Sequence, residues 1–124
     1  MKVLLISDQP LTACAFQTLL QHCDCNATMQ TASRLGEGMR MLSKANPAFK
    51  LALLDIDTLG AGRMHGAALL RRLWPEVPLT VIASSENDED LVRSIDIGVM
   101  GYLPKTACTQ TLAHALHRML AGHL

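Results

Sequence analysis

The chain has 124 residues, which suits one domain and leaves little room for two. Hydrophobic residues make up 49% of it and aromatics only 3%, so the core must be built from Leu, Val, Ile, Met and Ala. Lys plus Arg and Asp plus Glu are equal at 11 each, which argues against a nucleic-acid surface on this chain, since phosphate binding needs a basic excess on some face.

The opening MKVLLIS is too short for a secretory h-region and meets a charge at Asp8. No apolar run approaches a membrane span. A cytoplasmic location is expected, with no membrane partner. Cys14, Cys23, Cys25 and Cys108 lack the spacing of a disulfide framework, so reduced thiols are expected.

KVLLIS, at 2–7, is a near-continuous apolar run and predicts a first strand. After Pro10, the residues Leu11, Ala15, Thr18, Leu19 and Cys23 recur at steps of three and four, which predicts a helix with that stripe inward. NATMQTA (26–32) predicts a second strand, and Leu35, Met39 and Leu42 a second helix. KLALLDI (50–56) predicts the third strand. LGAGRMHG (59–66) is expected to be a Gly-rich loop. Ala67, Leu70 and Leu73 then mark a third helix, stopped before Pro75. PLTVIAS (78–84) predicts the fourth strand. In NDEDLVRSI, Asn87 is an N-cap candidate, Asp88 to Asp90 suit the positive end of the helix dipole, and Gly98 can close the helix. VMGYLP (99–104) predicts the fifth strand. Leu112, Leu116, Met119 and Leu120 line the last helix, with Gly122 past its end.

Five strand–helix alternations with crossovers of this length give parallel strands. The first, third and fourth runs are apolar throughout rather than alternating, as strands covered on both faces are. The expected class is α/β, a doubly wound open sheet in one domain, 1–124.

In such sheets ligands bind outside the carboxyl ends of the strands. The first strand delivers Ser7 and Asp8 there. The third delivers Asp55, with Asp57 in the following loop. The fourth delivers Ala83 and Ser84, and the fifth Lys105. Two carboxylates and a lysine from three strands are expected on one edge, with Asp55 exposed at the mouth of the sheet. Carboxylate and carbonyl oxygens suit Mg²⁺. A metal and a lysine beside a carboxylate offer charge stabilisation for phosphoryl transfer to that carboxylate.

With these residues in place, the sequence resembles the receiver domain of two-component response regulators over essentially its whole length. KVLLISDQPL is similar to the opening strand with its acidic pair, LALLDIDTLG to the phosphoacceptor strand and its Asp-x-x-Met-Pro-Gly loop, and GYLPKTA to the final strand with its lysine. TLAHALHRMLAGHL resembles the last receiver helix of regulators with a LuxR/NarL-type DNA-binding output domain. The resemblance implies a CheY-like, flavodoxin-like (βα)5 fold of strand order 2-1-3-4-5. It implies Asp55 as phosphoacceptor and Lys105 as the phosphoryl contact. It implies Mg²⁺ held by Asp8, Asp55 and the main-chain carbonyl of Asp57, and Tyr102 as the aromatic switch. The implied partners are a sensor histidine kinase and a second copy, met through the fourth helix, fifth strand and fifth helix or through the first and fifth helices. DNA would be reached only through an output domain beyond these residues. The chain is expected to be a lone or excised receiver regulating transcription. It is expected not to be an enzyme, beyond self-phosphorylation from a phosphodonor and autodephosphorylation.

Three features depart from the family pattern. Ser7 replaces the first acid of the pair, which should weaken Mg²⁺ binding. Thr58 and Leu59 stand where Met-Pro is usual. Ala83 replaces the Ser or Thr that bonds the phosphoryl oxygen, a loss of about 1.5–3 kcal/mol for a bond to a charged group. Ser84 is adjacent, but successive strand side chains point to opposite faces, so it could substitute only through a register slip. The alternative is therefore a degenerate pseudo-receiver that acts through protein binding or dimerisation.

Two remoter readings exist. LLDIDTL approaches the Asp-x-Asp-x-Thr signature of haloacid-dehalogenase-like phosphatases, with Thr58 one position early. Cys23, Cys25, His117 and His123 near the ends of the first and last helices could supply Zn²⁺ ligands, but partly buried thiols and surface imidazoles are the favoured account of them.

Overall fold

The computed structural model describes residues 1–23, 26–58, 60–84 and 87–122. Strands and helices alternate as β1 (Lys2–Ile6), α1 (Pro10–Cys23), β2 (Thr28–Ala32), α2 (Leu35–Lys44), β3 (Leu51–Asp55), α3 (Met64–Leu73), β4 (Leu79–Ala83), α4 (Asp88–Ile97), β5 (Gly101–Pro104) and α5 (Thr109–Leu120). The strands form one sheet in the order β2-β1-β3-β4-β5, every neighbouring pair parallel. Among the described residues no helix is long and apolar enough to cross a membrane.

The continuous apolar runs have the expected cause. Along β1, Leu4 and Ile6 join the cluster under α2 and α3, while Val3 and Leu5 join the cluster under α1 and α5. Along β3, Ala52 and Leu54 face the first cluster, and Leu51 and Leu53 the second. A period of two with both faces covered leaves no polar position inside the strand. Each fully buried Leu or Ile contributes roughly 1.5–3 kcal/mol relative to exposure, so aliphatic residues alone can stabilise both layers.

Two helical stripes differ from expectation. In α1 the buried residues are Thr12, Phe16, Leu19 and Leu20, whereas Leu11 is 86% exposed. Rotating the helix to bury Phe16 removes more apolar surface from water than burying Ala15 would. In α3 the inward series is Met64, Ala67 and Leu70. It continues to Trp74, which packs against the same cluster and leaves Leu73 half exposed.

The Gly-rich stretch is also shorter as a loop than expected, because α3 starts at Met64, a buried core residue. Gly66 allows this. A Cβ at Gly66 would collide with the carbonyl oxygen of Ala61, so only glycine lets the β3–α3 loop fold back onto the helix. The fourth helix follows the sequence signals closely. The Asn87 side chain accepts from the backbone N–H groups of Glu89 and Asp90, and Gly98 closes α4 at φ 87°.

Gly66→Ala is expected to destabilise the domain by about 1–3 kcal/mol, since overpacking against backbone outweighs the helix-propensity gain of about 1 kcal/mol. Gly36→Ala, where a Cβ meets nothing within 4 Å, is expected to be neutral or slightly stabilising. Urea denaturation of the two variants checks this. Equal midpoints would show that the β3–α3 loop yields freely.

Candidate functional site

The sheet register decides which side chains meet at the carboxyl edge. Leu5 pairs with Leu53, and both point to the α1/α5 face. Two residues further on, Ser7 and Asp55 therefore emerge side by side on that same face. Asp55 also pairs with Ile82, and Ile82 with Leu103. Lys105, two residues beyond Leu103, has the same parity and a stem long enough to reach back.

The contacts follow from this parity. The Lys105 ammonium lies 2.8 Å from Asp55 Oδ2. The Ser7 hydroxyl donates to the same Oδ2 at 2.8 Å. The Asp57 backbone N–H donates to Asp55 Oδ1 at 3.0 Å. Gln9 Oε1 accepts from Lys105 Nζ at 2.9 Å and from the Thr12 hydroxyl at 3.1 Å, which steadies the lysine. Gln9 N–H in turn donates to Ser7 Oγ at 3.2 Å.

These donors correct one expectation. Asp55 is not exposed at the mouth of the sheet: its relative exposure is 0%. A buried carboxylate is tolerated only when charge-paired and hydrogen-bonded, and Lys105, Ser7 and the loop N–H provide both while covering it. Asp8 remains exposed on the same edge, and its N–H donates to Thr58 Oγ1 at 3.3 Å, tying the β1–α1 loop to the β3–α3 loop. Thr58 is buried at 3%. Leu59 lies outside the described residues.

Asp57 uses its side chain as well as its main chain. Oδ2 accepts from the Ser84 N–H at 2.6 Å and lies 3.5 Å from Lys105 Nζ. Oδ1 pairs with Arg63 Nη1 at 2.9 Å, and Arg63 Nη2 reaches Asp90 Oδ2 in the first turn of α4 at 2.6 Å. Burial pushes the Asp57 carboxyl up. The Ser84 N–H and hydroxyl, the Arg63 guanidinium and the Lys105 charge outweigh that and hold it below its ordinary value. Arg63 adopts φ 51° and ψ −123° just ahead of α3. That region is costly for any residue but glycine, on the order of 1–3 kcal/mol.

Ala83 and Tyr102 lie on the other side of the pleat. Ala83 is fully buried in the cluster under α2 and α3, and Tyr102 packs half-buried against that cluster. Ala83 presents only a methyl group there. Ser84 needs no register slip to reach the site, but it reaches Asp57 rather than Asp55. Burial raises the Tyr102 phenol, as does the Asp90 charge, against the lowering influence of Arg63 and of the Asn87 backbone N–H.

Gln9 and Arg63 were not among the residues singled out by sequence. Gln9 carried a weak signal, since it follows the Ser7–Asp8 pair directly. Arg63 carried none, because its partners Asp57 and Asp90 are separated from it by 6 and 27 positions.

For the zinc reading, Cys23 Sγ donates to the Ala113 carbonyl at 3.4 Å and shares a small cavity with His117. Cys25 and His123 lie outside the described residues. Among the described residues no three His, Cys, Asp or Glu side chains are grouped to hold a metal.

Comparison with known proteins identifies the family and the fold. Residues 3–117 match the response regulator receiver domain family. The nitrate/nitrite response regulator protein NarL of Escherichia coli K12 is 27% identical over 122 residues, covering 98% of this chain and 56% of that protein. The chain thus spans about half the length of the curated relatives it matches. A CheY-like receiver domain protein from Methanospirillum hungatei superposes with a TM-score of 0.84 at 19% identity, covering 98% of this chain and 94% of that one. A LuxR family DNA-binding response regulator from Silicibacter pomeroyi superposes at 0.82 with 26% identity, covering 99% and 93%. None of these findings favours the phosphatase reading, and Asp55 ends the third strand of a receiver fold, with Asp57 in the loop after it. The chain belongs to the response regulator receiver domain family.

Proposed function

We propose that this chain accepts a phosphoryl group on Asp55 and passes the change to an output module, attached or separate, that regulates transcription. The observation that carries this reading is the Lys105 ammonium 2.8 Å from the Asp55 carboxylate, two side chains delivered by different strands to one buried point. The donor is a sensor histidine kinase's phosphohistidine or a small acyl phosphate. A carboxylate oxygen of Asp55 attacks phosphorus in line, and the bond from phosphorus to the leaving nitrogen or oxygen breaks as the aspartyl phosphate forms. Because Ser7 and Lys105 both donate to Oδ2, they must shift as the phosphoryl group arrives. Lys105 then pairs with the new oxygens. The reaction is self-modification, with no further substrate turned over. A cytoplasmic setting fits this partner.

The residues present fit Mg²⁺, which binds one or two carboxylates and keeps several waters. Asp8 offers an exposed carboxylate, Asp57 a main-chain carbonyl, and Asp55 Oδ1 accepts only the Asp57 N–H among the described residues. Bound there, the ion would supply charge neutralisation for the transferring group. Ser7 gives the set one acid fewer than the family pattern.

A second reading, a pseudo-receiver acting by protein contact, draws on the full burial of Asp55 and the methyl group at Ala83. Either reading needs a contact surface. Leu91, Val92 and Ile95 stand 42%, 57% and 72% exposed on α4, which supports pairing of two copies through α4, β5 and α5. The groove between α1 and α5, with Leu11 at its rim, supports the alternative pairing.

Incubation with Mg²⁺ and acetyl phosphate is expected to add one phosphoryl group to the wild type and none to Asp55→Asn, read by intact mass. No adduct on the wild type would leave the pseudo-receiver reading. Ser7→Asp is expected to tighten Mg²⁺ binding roughly tenfold by adding a charged ligand, measured by calorimetry; unchanged affinity would place the metal elsewhere. Ile95→Glu is expected to abolish dimerisation in sedimentation experiments while Leu11→Glu leaves it intact. The reverse pattern would assign the interface to α1 and α5.

A further inference from the structure

The Arg63 bridge spans the two parts of the site that the missing hydroxyl at Ala83 would otherwise connect. One end holds Asp57, two residues beyond Asp55 and hydrogen-bonded to it through its N–H. The other end holds Asp90, whose own N–H is capped by Asn87 and which sits in the first turn of α4. Asp57 also binds the N–H of Ser84, directly after β4, and neighbours Lys105. The phenol of Tyr102 sits in the field of the same Asp90, Arg63 and Asp57 charges. The bridge therefore joins the β3–α3 loop, the end of β4 and α4 around one guanidinium.

We propose that Arg63 is the positioning residue that couples the state of Asp55 to α4 in this chain. The proposal rests on Asp55 being the phosphoacceptor. In the unmodified site Arg63 is divided between two carboxylates. A phosphoryl group on Asp55 adds negative charge and strong acceptor oxygens beside Asp57. Lys105 turns to that group and leaves Asp57, and Arg63 is drawn towards the enlarged negative charge at the loop. Asp90 is released, and the first turn of α4 loses its tether. Arginine suits this role because its planar fork can serve two oxygen partners at once, where a lysine ammonium offers a point charge.

Amide hydrogen exchange across α4 (Leu91–Ile97) tests this on the full chain, first without phosphodonor. Arg63→Ala and Asp90→Ala are each expected to speed exchange about two- to fivefold, the range for one partly exposed ion pair. The double variant should be no faster than either single one, and Asp90→Glu should restore protection. Unchanged or additive rates would overturn the bridge. With Mg²⁺ and acetyl phosphate, adduct occupancy is read by intact mass. Wild-type α4 exchange should rise to the level of unmodified Arg63→Ala, and the adduct on Arg63→Ala should raise it no further. An equal rise in both proteins would overturn the coupling. No adduct on wild type would overturn the acceptor reading and the release step with it, while the exchange rates without phosphodonor still decide whether the bridge exists.

Discussion

A carboxylate buried at 0% exposure is the constraint around which the carboxyl edge is organised. An isolated ionised Asp55 at that depth would be intolerable, so neighbouring strands must each deliver something to it. β5 contributes the ammonium of Lys105, β1 the hydroxyl of Ser7, and the β3–α3 loop an N–H. Gln9 then fixes both the lysine and, through its own N–H, the serine. The strand order places β1 and β4 on either side of β3, so the donors reach Asp55 from one adjacent strand and from one strand further out. The same donors that make burial possible also shield the carboxylate, so its chemistry depends on their movement.

The pleat divides the rest of the edge by parity. Ser7, Asp55 and Lys105 share the face that α1 and α5 cover, while Ala83 and Tyr102 belong to the face under α2 and α3. Ala83 presents only a methyl group, with no polar side-chain atom to cross that division. What crosses it on the surface is the chain of charges from Lys105 through Asp57 and Arg63 to Asp90. Such a chain gains from being a network in which the middle members are shared, whereas an isolated exposed pair would contribute little. The positive-φ backbone at Arg63 fits a residue whose guanidinium is held by two carboxylates.

The α2 and α4 ends of the same helical layer differ in character. α4 leaves Leu91, Val92 and Ile95 in water, beside an acidic first turn. α2 instead presents Arg40 and Lys44, with Arg34 at its N-cap, against a single acid, Glu37. Equal totals of acid and base across the chain therefore conceal an uneven distribution, and composition alone carries no information about it.

The fold was legible because its signals are local. Continuous apolar runs, Asn87 and Gly98 at the ends of α4, and the loop lengths specify parallel strands covered on both sides whatever the distant contacts. Part of the site was legible too: Ser7, Asp55 and Lys105 each stand two residues beyond a core leucine, Leu5, Leu53 and Leu103, and strand periodicity carries that position to the same face. Helix phase was less legible, since Leu11 and Thr12 start stripes of equal spacing and only the competition for buried area chose the one containing Phe16. The burial of Asp55, the clasp of Gln9 and the Arg63 bridge could not be read at all. They arise from side chains that meet only once the sheet register and the fold-back at Gly66 have brought separate loops together, and no spacing along the chain encodes that meeting.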